Sequence, residues 1–221
     1  IKQRGYTKRN ISWHFILPYF IILIIILQFA IKRSFRNHKS RNQQFLERES
    51  RANQVRRKDI SNLNYISIPD NLPLINSGNE TFNQLLSNNS GMMRSYNTIT
   101  GLKDKKILNL TGISNTELKL SYGAANLTEL TEYDDNFTTL IKAIASLGHA
   151  LIDNNDTADA LSFLEYGISI GSDISSNYID LAIIYAATDR FDDIRKLKEK
   201  AGMLKSLSRD NIIEQLNNML K

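Results

Sequence analysis

Residues 141–187 read IKAIASLGHALIDNNDTADALSFLEYGISIGSDISSNYIDLAIIYAA, and their spacing decides the fold. Ile144, Leu147, Gly148 and Leu151 recur at helical intervals, with Phe137, Leu140 and Ile141 extending the same apolar face upstream. The polar run Asp153-Asn154-Asn155-Asp156 closes that helix. A second helix carries Ala160, Phe163, Leu164, Gly167 and Ile168 and stops at Gly171. The unit then repeats 34 residues later: Ile144 is matched by Tyr178, Leu147-Gly148 by Leu181-Ala182, Leu151 by Tyr185 and Gly167 by Ala201. Large and small side chains returning together at one offset predict an all-α helix-turn-helix array, in which the small residues admit neighbouring helices.

The period and layout resemble the tetratricopeptide repeat, a superfamily with the pattern W-x2-L-G-x2-Y, A-x3-F and a final P. The first unit, about 141–174, reads Ile144-x2-Leu147-Gly148-x2-Leu151, then Ala160-x3-Leu164, with Ser172 at the proline position. The second, about 175–208, reads Tyr178-x2-Leu181-Ala182-x2-Tyr185, then Ile194-x3-Lys198, with Ser206 at the proline position. Lys198 stands where an aromatic is usual and Ile194 where a small residue is usual. The resemblance implies a groove lined by the first helix of each unit: Lys142, Ala145, His149 and Ile152, then Ser176, Ile179, Ile183 and Ala186. Such a surface is mostly apolar and fits a protein partner of unknown identity. The Lys, Asn and Arg clamp that chaperone-tail-binding members use for a peptide carboxylate is not reproduced. Two units leave apolar faces open at both ends. Residues 210–220, with Ile212, Ile213, Leu216, Met219 and Leu220 on one side, are expected to cap one end, and helices within 79–134 the other.

Working outward, charge divides the chain of 221 residues. Residues 1–60 carry 14 Lys and Arg against 3 acids, a net of +11, and residues 61–221 carry 14 against 20, a net of −6. The overall +5 describes neither part, and the basic excess comes with no aromatic platform or motif for nucleic acid. Between Arg9 and Lys32 lie 22 residues without Asp, Glu, Lys or Arg, NISWHFILPYFIILIIILQFAI. As a helix they would reach roughly 33 Å, against a hydrocarbon core of about 30 Å. A single transmembrane helix at about 11–31 is therefore expected, with residues 1–31 as tail and span. Residues 20–27 (FIILIIIL) have no polar face for a core helix, and the following Lys32-Arg33-Ser34-Phe35-Arg36 is no signal-peptide cleavage site.

Residues 32–58 read as a basic juxtamembrane stalk. In it Lys32, Arg33, Arg36, Lys39 and Arg41 either hold anionic lipid headgroups, at about 1 kcal/mol each, or serve only as a stop-transfer flank. Both flanks of the span are basic, so the side faced by the C-terminal domain stays open. Residues 59–78, with two of the three prolines, read as a linker, 79–134 as N-terminal helices of the soluble domain, and 135–221 as the repeat units and capping helix. Gly91 leaves open whether residues 79–96 form one helix or two. Ser114 with Glu117 forms a capping box that opens a short helix ending near Gly123.

No catalytic constellation is apparent. His14, His38 and His149 lack metal-ligand spacing, and there is no P-loop, G-x-G-x-x-G or G-x-S-x-G. The acid pairs Asp134-Asp135 and Asp192-Asp193 are expected near helix starts, where carboxylates meet free N–H groups. Without Cys, disulfides and thiolate zinc sites are excluded. Asn-x-Ser/Thr sites at Asn10, Asn79, Asn88, Asn109, Asn126, Asn136 and Asn155 fall in an Asn-rich chain where chance matches are expected. The abundance of Asn, Ile and Lys suggests an AT-rich bacterial genome. The expectation is thus a non-enzymatic, single-pass membrane protein, with no cofactor and no small-molecule substrate. Its partners would be the lipid bilayer and another protein, met by the helical domain or, alternatively, by the span as a structural or regulatory subunit of a membrane complex.

Overall fold

A computed structural model describes residues 13–73 and 79–220. Side chains at 13–18 and 35–39 lie outside the described set. The described residues are all-helical, with no strand, and divide into two compact units, Ile1–Ala52 and Asn53–Lys221.

The first unit is one long helix, α1 (Trp13–Asn53). Its apolar residues at 19–27, 29 and 31 are exposed, from 42% at Ile24 to 74% at Tyr19. Among the described residues no helix is long and apolar enough to cross a membrane. The apolar run with described side chains, 19–31, measures roughly 20 Å at ~1.5 Å per residue. The rest of the expected span, 11–18, lies outside the described side chains.

The second unit begins with an irregular segment. Residues 59–73, read above as linker, belong to the packed body: Ile60, Ile68 and Leu72 are buried, and the Ile66 N–H donates to the Ile107 carbonyl at 2.9 Å. Residues 74–78 of that stretch lie outside the described residues. Next come α2 (Glu80–Asn88) and α3 (Ser90–Gly101), two helices separated at Asn89. Asn89 ends α2, and its side chain accepts from the N–H groups of Gly91 and Met92 at 3.0 and 3.1 Å to start α3. That cap resolves the ambiguity at Gly91. α4 (Asn115–Tyr122) opens with the expected Ser114–Glu117 capping box and ends at Gly123.

After a 3-10 turn at Ala124–Asn126, α5 (Leu127–Asp153) is longer than its apolar pattern indicated. Asp134 and Asp135 fall inside it and not at its start. Asp134 instead accepts the Leu110 N–H at 2.9 Å, supplying the partner that an irregular loop needs. α6 (Thr157–Ser169), α7 (Ser175–Ala187), α8 (Phe191–Gly202) and α9 (Arg209–Met219) follow. Asp192 and Asp193 do sit in the first turn of α8.

Each of α5 to α8 packs on its successor, and α5, α7 and α9 also touch in series. The period seen in sequence recurs in the backbone. The corners after α5 and α7 turn through left-handed residues 34 apart, Asn155 (φ 63°) and Asp189 (φ 55°). Asn and Asp tolerate that conformation better than other non-glycine residues. The closing hydrogen bonds repeat too: Asp156 N–H to Leu151 O at 2.9 Å, and Arg190 N–H to Tyr185 O at 2.8 Å.

Both ends of the array are covered. Phe82 of α2 is buried against Phe163 of α6, ring centroids 6.2 Å apart, and α3 lies along α5. At the other end Ile212 and Leu216 of α9 are fully buried. A smaller core joins Ile60, Leu108, Leu110, Leu118 and Leu130. It is locked by Asn126, fully buried, whose amide donates to the carbonyls of Lys58 and Tyr122 at 2.7 Å each and accepts from Arg57 Nε at 2.9 Å. Gly123 (φ +92°) makes this junction possible, because a Cβ there would stand 2.3 Å from the Arg56 carbonyl oxygen. Gly123→Ala therefore adds backbone strain to a steric clash and should lower unfolding free energy by about 3 kcal/mol, read from urea denaturation.

Candidate functional site

The expected groove residues divide by exposure. On α5, Lys142 and His149 are exposed, Ile152 is half-buried and Ala145 is buried. On α7, Ser176 and Ile183 are exposed, Ile183 by 48%, while Ile179 and Ala186 are half-buried. Ala145 is thus part of the packing and presents no surface. The other seven contribute at least part of their side chains to the α5 and α7 surfaces.

Of the pair that joins the two helices, His149 was in the expected set and Asp180 was not. His149 Nδ1 lies 3.0 Å from Oδ2 of Asp180, and its Nε2 lies 3.8 Å from Oδ2 of Asp153 one turn on. An ionised carboxylate only accepts, so Nδ1 carries the proton and Nε2 is turned toward Asp153. Asp180 is buried at 7% exposure, whereas the His149 side chain is 59% exposed. Burial raises the Asp180 carboxyl above its ordinary value, and the His149 hydrogen bond and charge pull it partly back. The sequence signal for Asp180 was slight: one acid inside the apolar stretch 178–185. Asp153 had been read only as a helix-closing residue. No group of three or more His, Cys, Asp or Glu able to hold a metal occurs among the described residues.

On the flank residues, Lys32, Arg33 and Arg41 are exposed on α1. Arg36 and Lys39 lie within the helix, their side chains outside the described set. His14 lies in the same position as regards its side chain, and His38 likewise.

Elsewhere, α6 and α8 stand on either side of a cavity of about 270 Å³. Its polar wall is already paired. Tyr185 donates to Glu165 at 2.7 Å, Arg190 lies 4.2 Å from the Tyr185 ring centre, and Asp193 accepts from Arg190 and Lys196 at 2.8 and 3.0 Å. Burial, reinforced by the Glu165 carboxylate, raises the Tyr185 hydroxyl, so it stays a proton donor. At the start of α6, Asp156 caps the helix and Asp159 accepts from Asn79 at 2.6 Å. Burial and the neighbouring Asp156 charge push Asp159 up to about 6.

No protein-family model, curated protein or solved structure matches this chain. The geometry is that of a two-helix surface pinned by a histidine–carboxylate bridge, with apolar Ile183 exposed beside it.

Two outcomes follow for stability. Removing the donor by His149→Ala leaves Asp180 buried without it and should cost about 1–2 kcal/mol at pH 8 in chemical denaturation, the cost shrinking as pH falls and the carboxyl, raised by burial, takes up its proton. Asp180→Asn keeps an acceptor for Nδ1–H and should cost little at pH 8. For Asp159 the folded value of about 6 exceeds the ordinary 3.8, so its contribution is most favourable below about 3.8 and is lost as pH rises through about 6. Asp159→Asn should then stabilise by about 1 kcal/mol at pH 7.5, after allowance for partial solvent screening, and by nothing at pH 4.

Proposed function

We propose that the chain is a membrane-anchored helical-repeat protein of tetratricopeptide-like build, whose helical unit acts as a protein-interaction or scaffold module. The observation that carries this reading is the 34-residue recurrence of the corners at Asn155 and Asp189, which sets α5 and α7 side by side as equivalent helices. In this family such helices line the inner groove. The exposed side chains they offer, Lys142, His149, Ser176 and Ile183, combine a cation, a histidine, a hydroxyl and an apolar surface suited to a peptide or helix of a partner.

One departure from the repeat pattern, Ser172, has a local reason. Ser172, at the proline position, donates its N–H to the Gly167 carbonyl at 3.0 Å, a bond proline cannot make. Its hydroxyl accepts from Ile174 N–H at 3.3 Å and from the Asn177 amide at 3.0 Å. Serine thus terminates α6 and orients α7 in one step.

Support for anchoring comes from α1. A helix apolar on every side over residues 19–31, exposed and followed by Lys32 and Arg33, is matched to lipid and basic-flank chemistry. The test has two arms. After carbonate extraction the full chain should stay with the membrane fraction, and a chain lacking residues 1–41 should be released. A photo-crosslinking residue at position 183 should give a discrete adduct in cells, one that Lys142→Glu with His149→Glu abolishes. Loss of the adduct only when residues 19–31 are replaced by polyleucine would favour contact through the span, and absence of any adduct would sink the interaction reading.

A further inference from the structure

A larger cavity, about 700 Å³, lies where the segment 64–67, the loop 108–113, the corner between α6 and α7 and the C-terminal end of α8 meet. None of the groove residues on α5 and α7 lines it, so it is a separate feature. Its volume falls within the range of small-ligand sites. Tyr178 lines it and is only 1% exposed, yet its hydroxyl has no hydrogen-bond partner among the described residues. That hydroxyl is not one of the fully buried unpaired atoms among the described residues, so it is reached from outside and is free to donate to a ligand. Asp173 lines the same cavity, and Lys200 and Lys205 stand at its α8 side; none of the three has an ion pair with a described residue. Burial, with the charge of Asp173 adding, pushes the Tyr178 hydroxyl up to about 12, so it remains a donor at any physiological pH. The rim is apolar and open: Met203 is 77% exposed and Ile113 40%.

Unpaired charges of both signs, a free hydroxyl donor and an apolar rim describe a particular ligand. A purely anionic ligand would meet Asp173, and a purely cationic one would meet the two lysines. We propose that this cavity binds a short apolar peptide with free termini, its ammonium held by Asp173, its carboxylate by Lys200 and Lys205, a backbone carbonyl by the Tyr178 hydroxyl, and its side chains against Met203 and Ile113. Charge-assisted bonds at both ends would fix direction, and the apolar rim would set side-chain preference.

Full-length chain in lipid nanodiscs, titrated calorimetrically with trileucine, tests this. Trileucine should bind with Kd below about 1 mM, and its N-acetylated and C-amidated forms at least about tenfold more weakly. Lys200→Gln with Lys205→Gln, both at exposed positions, should reduce trileucine binding to the level of the amide while leaving the amide's affinity and the thermal midpoint unchanged. Tyr178→Phe should weaken all three peptides alike. Equal affinity for free and capped peptides, or no heat up to about 10 mM, would overturn the proposal and leave the cavity to water.

Discussion

Two close helix approaches determine where the rest of the helical unit can go. A Cβ at Gly148 would stand 2.6 Å from Leu164, and one at Gly167 would stand 2.6 Å from the Asn177 amide and 3.0 Å from Ile144. Leu164 and Ile144 are fully buried, so neither can step aside. Gly148 therefore sets the spacing of α5 and α6, and Gly167 sets that of α6 and α7. The second approach reaches the surface shared by α5 and α7. Asn177, admitted by Gly167, is held by Ser172, and Asp180 follows it by three residues on the neighbouring side of α7. The bridge to His149 depends on that register.

The connections between these helices cost little. Corners at Asn155 and Asp189 use residue types that tolerate the left-handed region, and the N–H groups just beyond return to carbonyls of the last helical turn. With loops this short, α5 to α8 can only run antiparallel to their neighbours. The apolar faces are then forced together, and α3 and α9 close the two ends. Stability in such arrays is carried by each interface between neighbours. The helices at the two ends matter for that reason as much as those between them.

What the sequence makes legible is what is encoded locally. Helical spacing, the Ser114 box, the stop at Gly123 and the paired small residues all act within one or two turns, and each corresponds to a feature of the structure. Residues 59–73 were opaque because their burial is bought by distant partners. Ile60 meets Leu108 and Leu130, Ile66 bonds Ile107, and the Ser67 carbonyl accepts from Tyr166, 99 residues away. No periodicity announces such docking, and two prolines argue against it. Asp134 misled for the same reason: its carboxylate resembles a cap in sequence and serves a loop in space. On α5 and α7, the exposure of Lys142, His149, Ser176 and Ile183 was readable from helical spacing. Asp180 was not, since its role requires α7 to be turned toward His149, which Gly167 and Asn177 decide. Tyr178 was readable as a core residue, but the space beside it was not, because a cavity is defined by what fails to fill it.

The two units place opposite demands on their surroundings. The helical unit buries nearly all its large apolar side chains and leaves a few, such as Ile113, Ile183, Phe191 and Met203, exposed. Residues 19–31 of α1 expose theirs contiguously on every side of the helix. Leaving a large aliphatic side chain in water forfeits roughly 1.5–3 kcal/mol, and the run holds eleven large apolar residues. Charge follows the same division, +11 in residues 1–60 and −6 beyond. A helix so composed needs an apolar solvent or an apolar partner along its whole circumference, while the acidic unit needs neither.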